Sequence, residues 1–307
     1  MHSEPMLIMG GKQFATQVIS KVGLQPNVEV VHTKVDLDTP RTLNGELSIL
    51  QQPIQQANTV FCSAQPFQLP LVEMALKNSK NVLLFETYLL DKEVLHQLLE
   101  LALEARCYLV NGDALFFNPV VFPYIYYFQH AKFTKLKSNR SNQPITRRSL
   151  FYCLEMLLWK MKSPVKNIHA KGVRLGTKYL NMIHARIEFE NDTVAQLEVS
   201  NIKEDNRLTV EAISDEAWLQ LDLLSKTGSV QRLESDEELI RNIQPQHIIP
   251  IHTHPANNLF DYINNDLSKE VHKHAQFENT IEAAKILTQI EEQLKRSYSD
   301  FSYFQPE

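Results

Sequence analysis

Apolar runs alternate with apolar positions at helical spacing through the N-terminal part of the chain. Short apolar runs at residues 60–63, 82–85 and 107–110 predict strands that are buried on both faces. Between them, residues 71–76 and 95–103 place apolar side chains at helical spacing, which predicts two amphipathic helices. Serial alternation of this kind is typical of a parallel sheet wound on both faces, which binds ligands outside the carboxyl ends of its strands.

The pattern changes in the second half of the chain. Residues 133–136 predict a strand, residues 137–144 a polar, turn-rich stretch and residues 150–161 an apolar helix. A run of alternating strands follows, at residues 168–173, 182–189, 194–199, 208–213 and 218–223. Such a run predicts a second domain built on a largely antiparallel, open sheet with one packed face.

The first predicted strand, Met6–Met9, leads into the turn where a dinucleotide fold carries Gly-x-Gly-x-x-Gly. Gly10 suits the tight turn and Ala15 supplies the small third residue. Lys12 stands at the second position, where its Cβ intrudes on the pyrophosphate, although its ammonium would attract an anion beside a helix N-terminus. The alternative is a turn that holds no ligand. The residues predicted to contact NAD or NADP here are Gly10, Gly11, Lys12, Gln13 and Phe14.

An acidic residue after the second strand completes the expected site. The strand predicted at residues 28–32 is followed by Asp36 and Asp38, both at the distance where a carboxylate accepts a hydrogen bond from a ribose hydroxyl. The distance from the strand along the sequence does not distinguish Asp36 from Asp38. We assign this role to Asp36, with a solvated turn before Pro40 as the alternative for either acid.

Fixed spacing links four short motifs between residues 63 and 119. They are Ser63-Ala64-Gln65, an Ala-Leu-x-x-x-Lys-x-Val helix exit at residues 75–82, Phe85-Glu86-Thr87, and a loop from Gly112 that closes on Phe117-Asn118-Pro119. In this order they resemble the Gfo/Idh/MocA family of glucose-fructose oxidoreductases and inositol dehydrogenases. There the first motif is Thr-Pro-Asn, the third is Glu-Lys-Pro and the loop is Gly-x-x-x-Arg-Phe-x-Pro.

The resemblance implies an α/β fold class: an N-terminal Rossmann dinucleotide-binding domain and an α+β domain with a largely antiparallel open sheet. At 307 residues the chain exceeds the size at which one core stops growing, so we predict domains at residues 1–120 and 121–307. The resemblance also implies that the last helix, residues 277–296, returns to the first domain. It further implies a homodimer or homotetramer formed through the open sheet face, and a nicotinamide ribose lined by Ser63, Ala64, Gln65 and Gln68.

Other residue types stand at the positions where the family carries its catalytic residues. The resemblance puts the family's strand-end lysine at Glu86, and its Asp-x-Gly-x-His-x-x-Asp at Arg148, Leu150, Tyr152 and Glu155. Hydride removal from an alcohol needs a base for the hydroxyl proton and a positive or donor group for the developing oxyanion. Glu86 and Tyr152 could substitute for the missing pair, with Arg148 as the cation on the same helix face. The alternative is a Glu86–Arg148 salt bridge without chemistry.

Composition narrows the class of protein further. No apolar run reaches the length of a membrane span and no segment resembles an export signal, so we expect a cytoplasmic protein that binds no membrane. The net charge of −5 argues against a nucleic-acid partner. Paired histidines at residues 252–254 and 272–274 lack ligand spacing for a metal, so we predict none. Basic residues between 132 and 148 mark either a solvated edge or a site for an anionic small molecule.

Two hypotheses follow. The first is an NAD(P)-dependent oxidoreductase of the Gfo/Idh/MocA type that acts on a sugar, polyol or related compound and has a degenerate active site. The second is a non-catalytic ligand or dinucleotide sensor, or an assembly protein, on the same scaffold, because one fold hosts both classes.

Overall fold

The structure is a computed structural model in which two compact units are distinguished. The first comprises Met1–Ala114 and Ala256–Ala284, and the second comprises Leu115–Pro255 and Lys285–Glu307. The predicted domain limits of 1–120 and 121–307 stay a prediction. The residues described are 6–9, 14–16, 18–19, 30–32, 43–113, 118, 120–121, 124–141, 143–158, 163–176, 178–202, 204–232 and 275–298.

The first unit is built on a parallel sheet of five strands in the order β2-β1-β3-β4-β5. The strands are β1 Met6–Met9, β2 Val30–His32, β3 Thr59–Ser63, β4 Asn81–Phe85 and β5 Leu109–Asn111. The strand order reverses direction between β1 and β3, which is the switch point where doubly wound sheets bind their ligands. The predicted Rossmann-like half of the α/β fold is confirmed.

Three helices that the structure describes from end to end lie between these strands: α1 Leu43–Gln56, α2 Leu69–Lys77 and α3 Lys92–Glu104. Each of the latter two buries the apolar stripe that the sequence predicts, for example Leu71 and Leu76 on α2 and Leu95 and Leu99 on α3. Burying one such side chain contributes about 1.5–3 kcal/mol. The sheet core is therefore covered by helices whose positions the 3.6-residue period already indicates.

The second unit contains a sheet of seven strands in the order β12-β11-β10-β6-β9-β8-β7. Its strands are β6 Phe133–Asn139, β7 Val165–Val173, β8 Met182–Phe189, β9 Val194–Ser200, β10 Arg207–Ile213, β11 Ala217–Asp222 and β12 Thr227–Arg232. All pairs are antiparallel except β6 with β9. The predicted, largely antiparallel second sheet is confirmed.

Three details of the second unit differ from the sequence prediction. Residues 137–139, assigned to a polar turn, continue β6, because Ser138 is held between Leu208 of β10 and Val199 of β9. Pairing on both sides overrides the polar composition of this segment. Strand β12 and the short helix α4, Ile125–Gln129, were not predicted. The predicted helix at 150–161 begins earlier, as α5 Arg147–Leu158.

The two faces of this sheet have different surroundings. Along β8, Ile183, Ala185 and Ile187 are buried, whereas His184 is exposed and Arg186 half-buried. Helix α5 packs on β6 and β9 and covers the apolar face. The other face carries polar and charged side chains, as alternation with period two requires.

The last helix, α6 Ala275–Ser297, closes the edge of this sheet with its C-terminal half. Gln293 accepts a hydrogen bond from the Ala170 amide at 2.8 Å and donates to the Ile168 carbonyl at 2.7 Å. The Tyr298 hydroxyl donates to the Gly172 carbonyl at 2.6 Å. These contacts satisfy backbone groups that the edge strand β7 would otherwise present to another chain. Among the described residues, no helix is long and apolar enough to cross a membrane.

The three cysteines of the chain, Cys62, Cys107 and Cys153, are free thiols inside the two units. Burial raises the pKa of Cys107 to about 11 and the pKa of Cys153 to about 12. Burial also raises the pKa of Cys62, which lies in the middle of the parallel sheet, far above its ordinary value.

We expect all three thiols to be inert in the folded protein, because the thiolate is the reactive form and burial disfavours it. A chromogenic disulfide reagent at mildly alkaline pH should detect no thiol until denaturant is added, and three thiols afterwards. Gln97→Cys, at an exposed position of α3, is the positive control. A native thiol that reacts as fast as this control would contradict the burial.

Candidate active site

Glu86 follows the last residue of β4 and adopts the left-handed conformation, with φ 60° and ψ 30°. Its carbonyl then accepts a hydrogen bond from the Leu89 amide at 3.0 Å, which closes a 3₁₀ turn over Thr87–Leu89. A residue with a Cβ pays about 1–2 kcal/mol in this region. Such a conformation persists only where its surroundings hold it in place.

Hydrogen bonds from both neighbouring strand ends hold Glu86. From the end of β3, the Ser63 hydroxyl and the Gln65 side-chain amide both donate to Glu86 Oε2, the latter at 3.2 Å. From the end of β5, Asp113 Oδ2 accepts from the Glu86 backbone amide at 2.8 Å. We call this group, Ser63, Gln65, Glu86 and Asp113, the carboxylate cluster.

The turn after β5 is itself fixed. Asn111 Oδ1 accepts from the Asp113 amide at 3.0 Å, and the Gly112 amide donates to the Leu84 carbonyl at 2.9 Å. A Cβ on Gly112 would lie 2.5 Å from the ring of Phe85, so only glycine lets the turn approach β4 this closely. This contact explains the glycine at the start of the loop motif.

Other residues predicted to bind the cofactor lie around the same strand ends. Ala64 is fully buried and donates its amide to the Phe85 carbonyl at 2.7 Å, and Gln68 is buried in the next turn. Phe14 packs edge-on against Phe85 with ring centroids 5.5 Å apart. Gly10, Gly11, Lys12, Gln13, Asp36 and its alternative Asp38 lie outside the described residues.

The arrangement of the first unit fits a dinucleotide. Strands β1 and β3 are adjacent, with Met9 beside Cys62, so their carboxyl ends meet at the switch point of the sheet. Ser63 ends β3 and Gln65 comes two residues later, and Glu86 directly follows the neighbouring strand β4. Polar side chains therefore stand where this fold presents a nucleotide to its substrate.

The second unit holds the other two predicted catalytic residues. Arg148 and Tyr152 lie one turn apart on α5, and the Arg148 guanidinium carbon is 5.8 Å from the centroid of the Tyr152 ring. Tyr152 is 7% exposed. Glu155, at the family's last acidic position, is completely buried in the same helix. The structure thus brings Arg148 and Tyr152 together, and Ser63, Gln65 and Glu86 together.

Asp113 is a site residue that sequence reasoning missed. Its signal was an acid directly after a strand and a glycine, in a segment that the loop motif already covered. Within the described parts of the chain, no group of three or more His, Cys, Asp or Glu could hold a metal ion. His252, His254, His272 and His274 lie outside those parts.

No protein-family model matches the sequence, and no curated protein matches it. Solved structures do match over nearly the whole chain. UDP-N-acetylglucosamine 3-dehydrogenase GnnA from Acidithiobacillus ferrooxidans is 14% identical with a TM-score of 0.71, and the match covers 96% of this chain and 99% of that chain. A dehydrogenase from Chromobacterium violaceum is 12% identical with a TM-score of 0.72, with 96% of each chain covered.

A third similar structure is GenD2 from gentamicin A biosynthesis in complex with NAD. It is 16% identical with a TM-score of 0.63, and the match covers 96% of this chain and 94% of that chain. These likenesses establish that the chain has the fold of these oxidoreductases.

The left-handed conformation of Glu86 generates a paired prediction. Glu86→Gly and Glu86→Ala both remove the carboxylate, but only alanine keeps the strained Cβ. We therefore expect the glycine variant to be more stable in urea denaturation by about 1 kcal/mol.

A helical position provides the matched control. Glu100 is exposed within α3, where glycine should be less stable than alanine by about 1 kcal/mol. An alanine variant at residue 86 that equals or exceeds its glycine counterpart in stability would show that the turn is not left-handed.

Proposed function

We propose that this chain is an NAD(P)-dependent oxidoreductase of the Gfo/Idh/MocA type that acts on a sugar, polyol or related compound and has a degenerate active site. The observation that carries the proposal is the carboxylate cluster. Glu86 follows the end of β4, at the position that the family gives to lysine, and β4 is the neighbour of β3, which borders the switch point of this dinucleotide-type sheet.

Similar structures support the cofactor and the ligand class. One is named for the oxidation of a nucleotide-activated amino sugar, and another was solved in complex with NAD. On this basis the turn at residues 10–14 would face the pyrophosphate. Ser63, Ala64, Gln65 and Gln68 would line the nicotinamide ribose, and Asp36 would accept from a ribose hydroxyl.

The chemistry expected at Glu86 supports a degenerate active site. The bound dinucleotide would accept or donate the hydride. In either direction the substrate oxygen would carry negative charge in the transition state, which a lysine ammonium stabilises and a carboxylate opposes. Glu86 Oε2 already accepts hydrogen bonds from Ser63 and Gln65, which holds this oxygen in place as an acceptor. The carboxylate cluster contains no positively charged side chain. Hydride transfer coupled to proton transfer by the family's route is therefore strongly slowed.

The second candidate function is a non-catalytic sensor of a dinucleotide or ligand, or an assembly protein. The same cluster favours it, because fixed hydrogen bonds keep the binding geometry of the strand ends whether or not chemistry occurs. Two measurements separate the two candidates. They are the affinity for the dinucleotide and the rate of turnover.

Self-association through the open sheet face is part of the proposal. On this face Lys137 of β6 lies beside Glu198 of β9, and Lys135 lies beside Glu211 of β10. Neighbouring strands thus present alternating charges, which two copies related by a two-fold axis can pair. A groove of about 510 Å³ over β9–β12 and β6 belongs to the same face.

Calorimetric titration with NAD and NADP tests the cofactor. We expect one of them to bind with a dissociation constant below about 1 mM, equivalent to roughly 4 kcal/mol of binding free energy. Failure of both to bind at millimolar concentration would remove the dehydrogenase candidate.

Turnover measurements then decide between enzyme and sensor. Sugar- and polyol-dependent reduction of the bound dinucleotide should be absent or very slow. Any turnover should disappear in the double variant Glu86→Gln with Tyr152→Phe, while the control Glu100→Gln with Tyr126→Phe, both at exposed positions, keeps it. Turnover that survives the first double variant would rule out Glu86 and Tyr152 as substitute proton carriers.

Sedimentation velocity tests the association. We expect a homodimer or homotetramer, and Lys137→Glu should shift it toward the monomer, because the change reverses a charge that a second copy would pair with. Lys226→Glu, in the turn between β11 and β12, is the control with the same charge change. A wild-type protein that sediments as a monomer would exclude this part of the proposal.

A further inference from the structure

A small cavity of about 70 Å³ lies in the second unit, beside the end of β6 and the start of α5. Two arginines and four hydroxyl-bearing residues line it: Arg140, Arg148, Ser138, Thr146, Ser149 and Tyr152. Among the described residues that line the cavity, none is acidic. The charged side chains in this described lining are therefore both cationic.

The two arginines line the cavity from different elements. Arg140 directly follows β6, and Arg148 lies in the first turn of α5 above the Tyr152 ring. Within the part of the chain that the structure describes, no carboxylate forms a salt bridge with Arg140. Its neighbour Arg147 differs, since it pairs with Glu291 at 3.1 Å.

Cys153, a buried residue of α5, also lines the cavity. Burial raises the pKa of the Cys153 thiol, and the positive charge of Arg140 together with the Ser138 hydroxyl partly offsets that rise. Arg140 itself is exposed to solvent, and it lines the cavity from the end of β6.

The start of α5 does not itself supply the binding groups. The Ser149 amide donates to Thr146 Oγ1 at 3.2 Å, the Thr146 amide donates to Ser149 Oγ at 3.2 Å, and Ser149 Oγ donates to the Thr146 carbonyl at 2.8 Å. These reciprocal bonds close the helix end internally. Recognition in the cavity therefore falls to the arginine side chains.

We propose that this cavity binds a compact oxyanion, the terminal phosphate or carboxylate of the small-molecule ligand. Guanidinium groups pair with both oxyanions through two parallel N–H···O bonds, which a single ammonium cannot do. A water-sized group needs roughly 10–15 Å³ of such space, so the cavity has room for about five, the heavy-atom count of a phosphate. The inference rests on the proposed function only for the identity of the rest of the ligand.

Titration of the full chain with inorganic phosphate at constant ionic strength tests the site directly. We expect saturable binding that Arg140→Gln and Arg148→Gln each weaken at least tenfold. Arg140→Lys, which keeps the charge but loses the planar fork, should fall between wild type and Arg140→Gln. Arg106→Gln, an exposed arginine of the first unit, removes the same charge and should leave binding unchanged.

Glucose 6-phosphate, glucuronate and glucose distinguish the two sources of the oxyanion. If glucose 6-phosphate binds more tightly than glucose and Arg140→Gln loses this difference, the cavity takes a phosphate. If glucuronate does so, the cavity takes a carboxylate. Equal binding of all three compounds overturns the proposal. Absence of phosphate binding, or equal weakening in Arg106→Gln and Arg140→Gln, overturns it as well. Because these titrations contain no dinucleotide, phosphate binding without NAD(P) binding keeps this site and removes the proposed function.

Discussion

The left-handed turn at Glu86 is the constraint on which the candidate site depends. Its backbone amide is held by Asp113 after β5, and its carboxylate by Ser63 and Gln65 after β3. Three consecutive strand ends of a parallel sheet are therefore tied to one residue. Because the hydrogen bonds offset the strain of the turn, the position of the carboxylate relative to the switch point is set by the sheet itself rather than by a loop.

The candidate sites of the two units carry side chains of opposite charge. The first unit presents a carboxylate at the strand end where the resembling family carries lysine. The second presents arginines around a cavity at the start of α5, near the tyrosine that takes the family's histidine position. An acid cannot stabilise an alkoxide, whereas paired guanidinium groups suit a ligand that is already anionic. Under the proposed function, this exchange would disfavour hydride transfer by the family's route and would favour an anionic ligand.

Sequence patterns predicted most of the fold because its strands carry strong periodic signals. The buried strands β3 and β4 are continuous apolar runs, and β8 alternates so regularly that its limits were predicted without error. Residues 137–139 were missed because only pairing with β9 and β10 makes a polar segment into a strand.

In the site, Glu86 was found through a motif, but Asp113 was not, since its partner lies 27 residues away and only strand adjacency brings them together. The left-handed turn has no sequence signal, because glutamate rarely adopts it.

The place of β6 in its sheet affects how the protein is made. This strand lies at the centre, yet both of its neighbours, β9 and β10, come more than fifty residues later in the chain. During synthesis β6 therefore emerges from the ribosome with two open edges, and the apolar side of the sheet stays incomplete until β10 has followed. Long-range strand pairing of this kind is slow, and apolar side chains and unpaired strand edges stay exposed until it is complete. The second unit is consequently the part whose biogenesis would gain most from a chaperone.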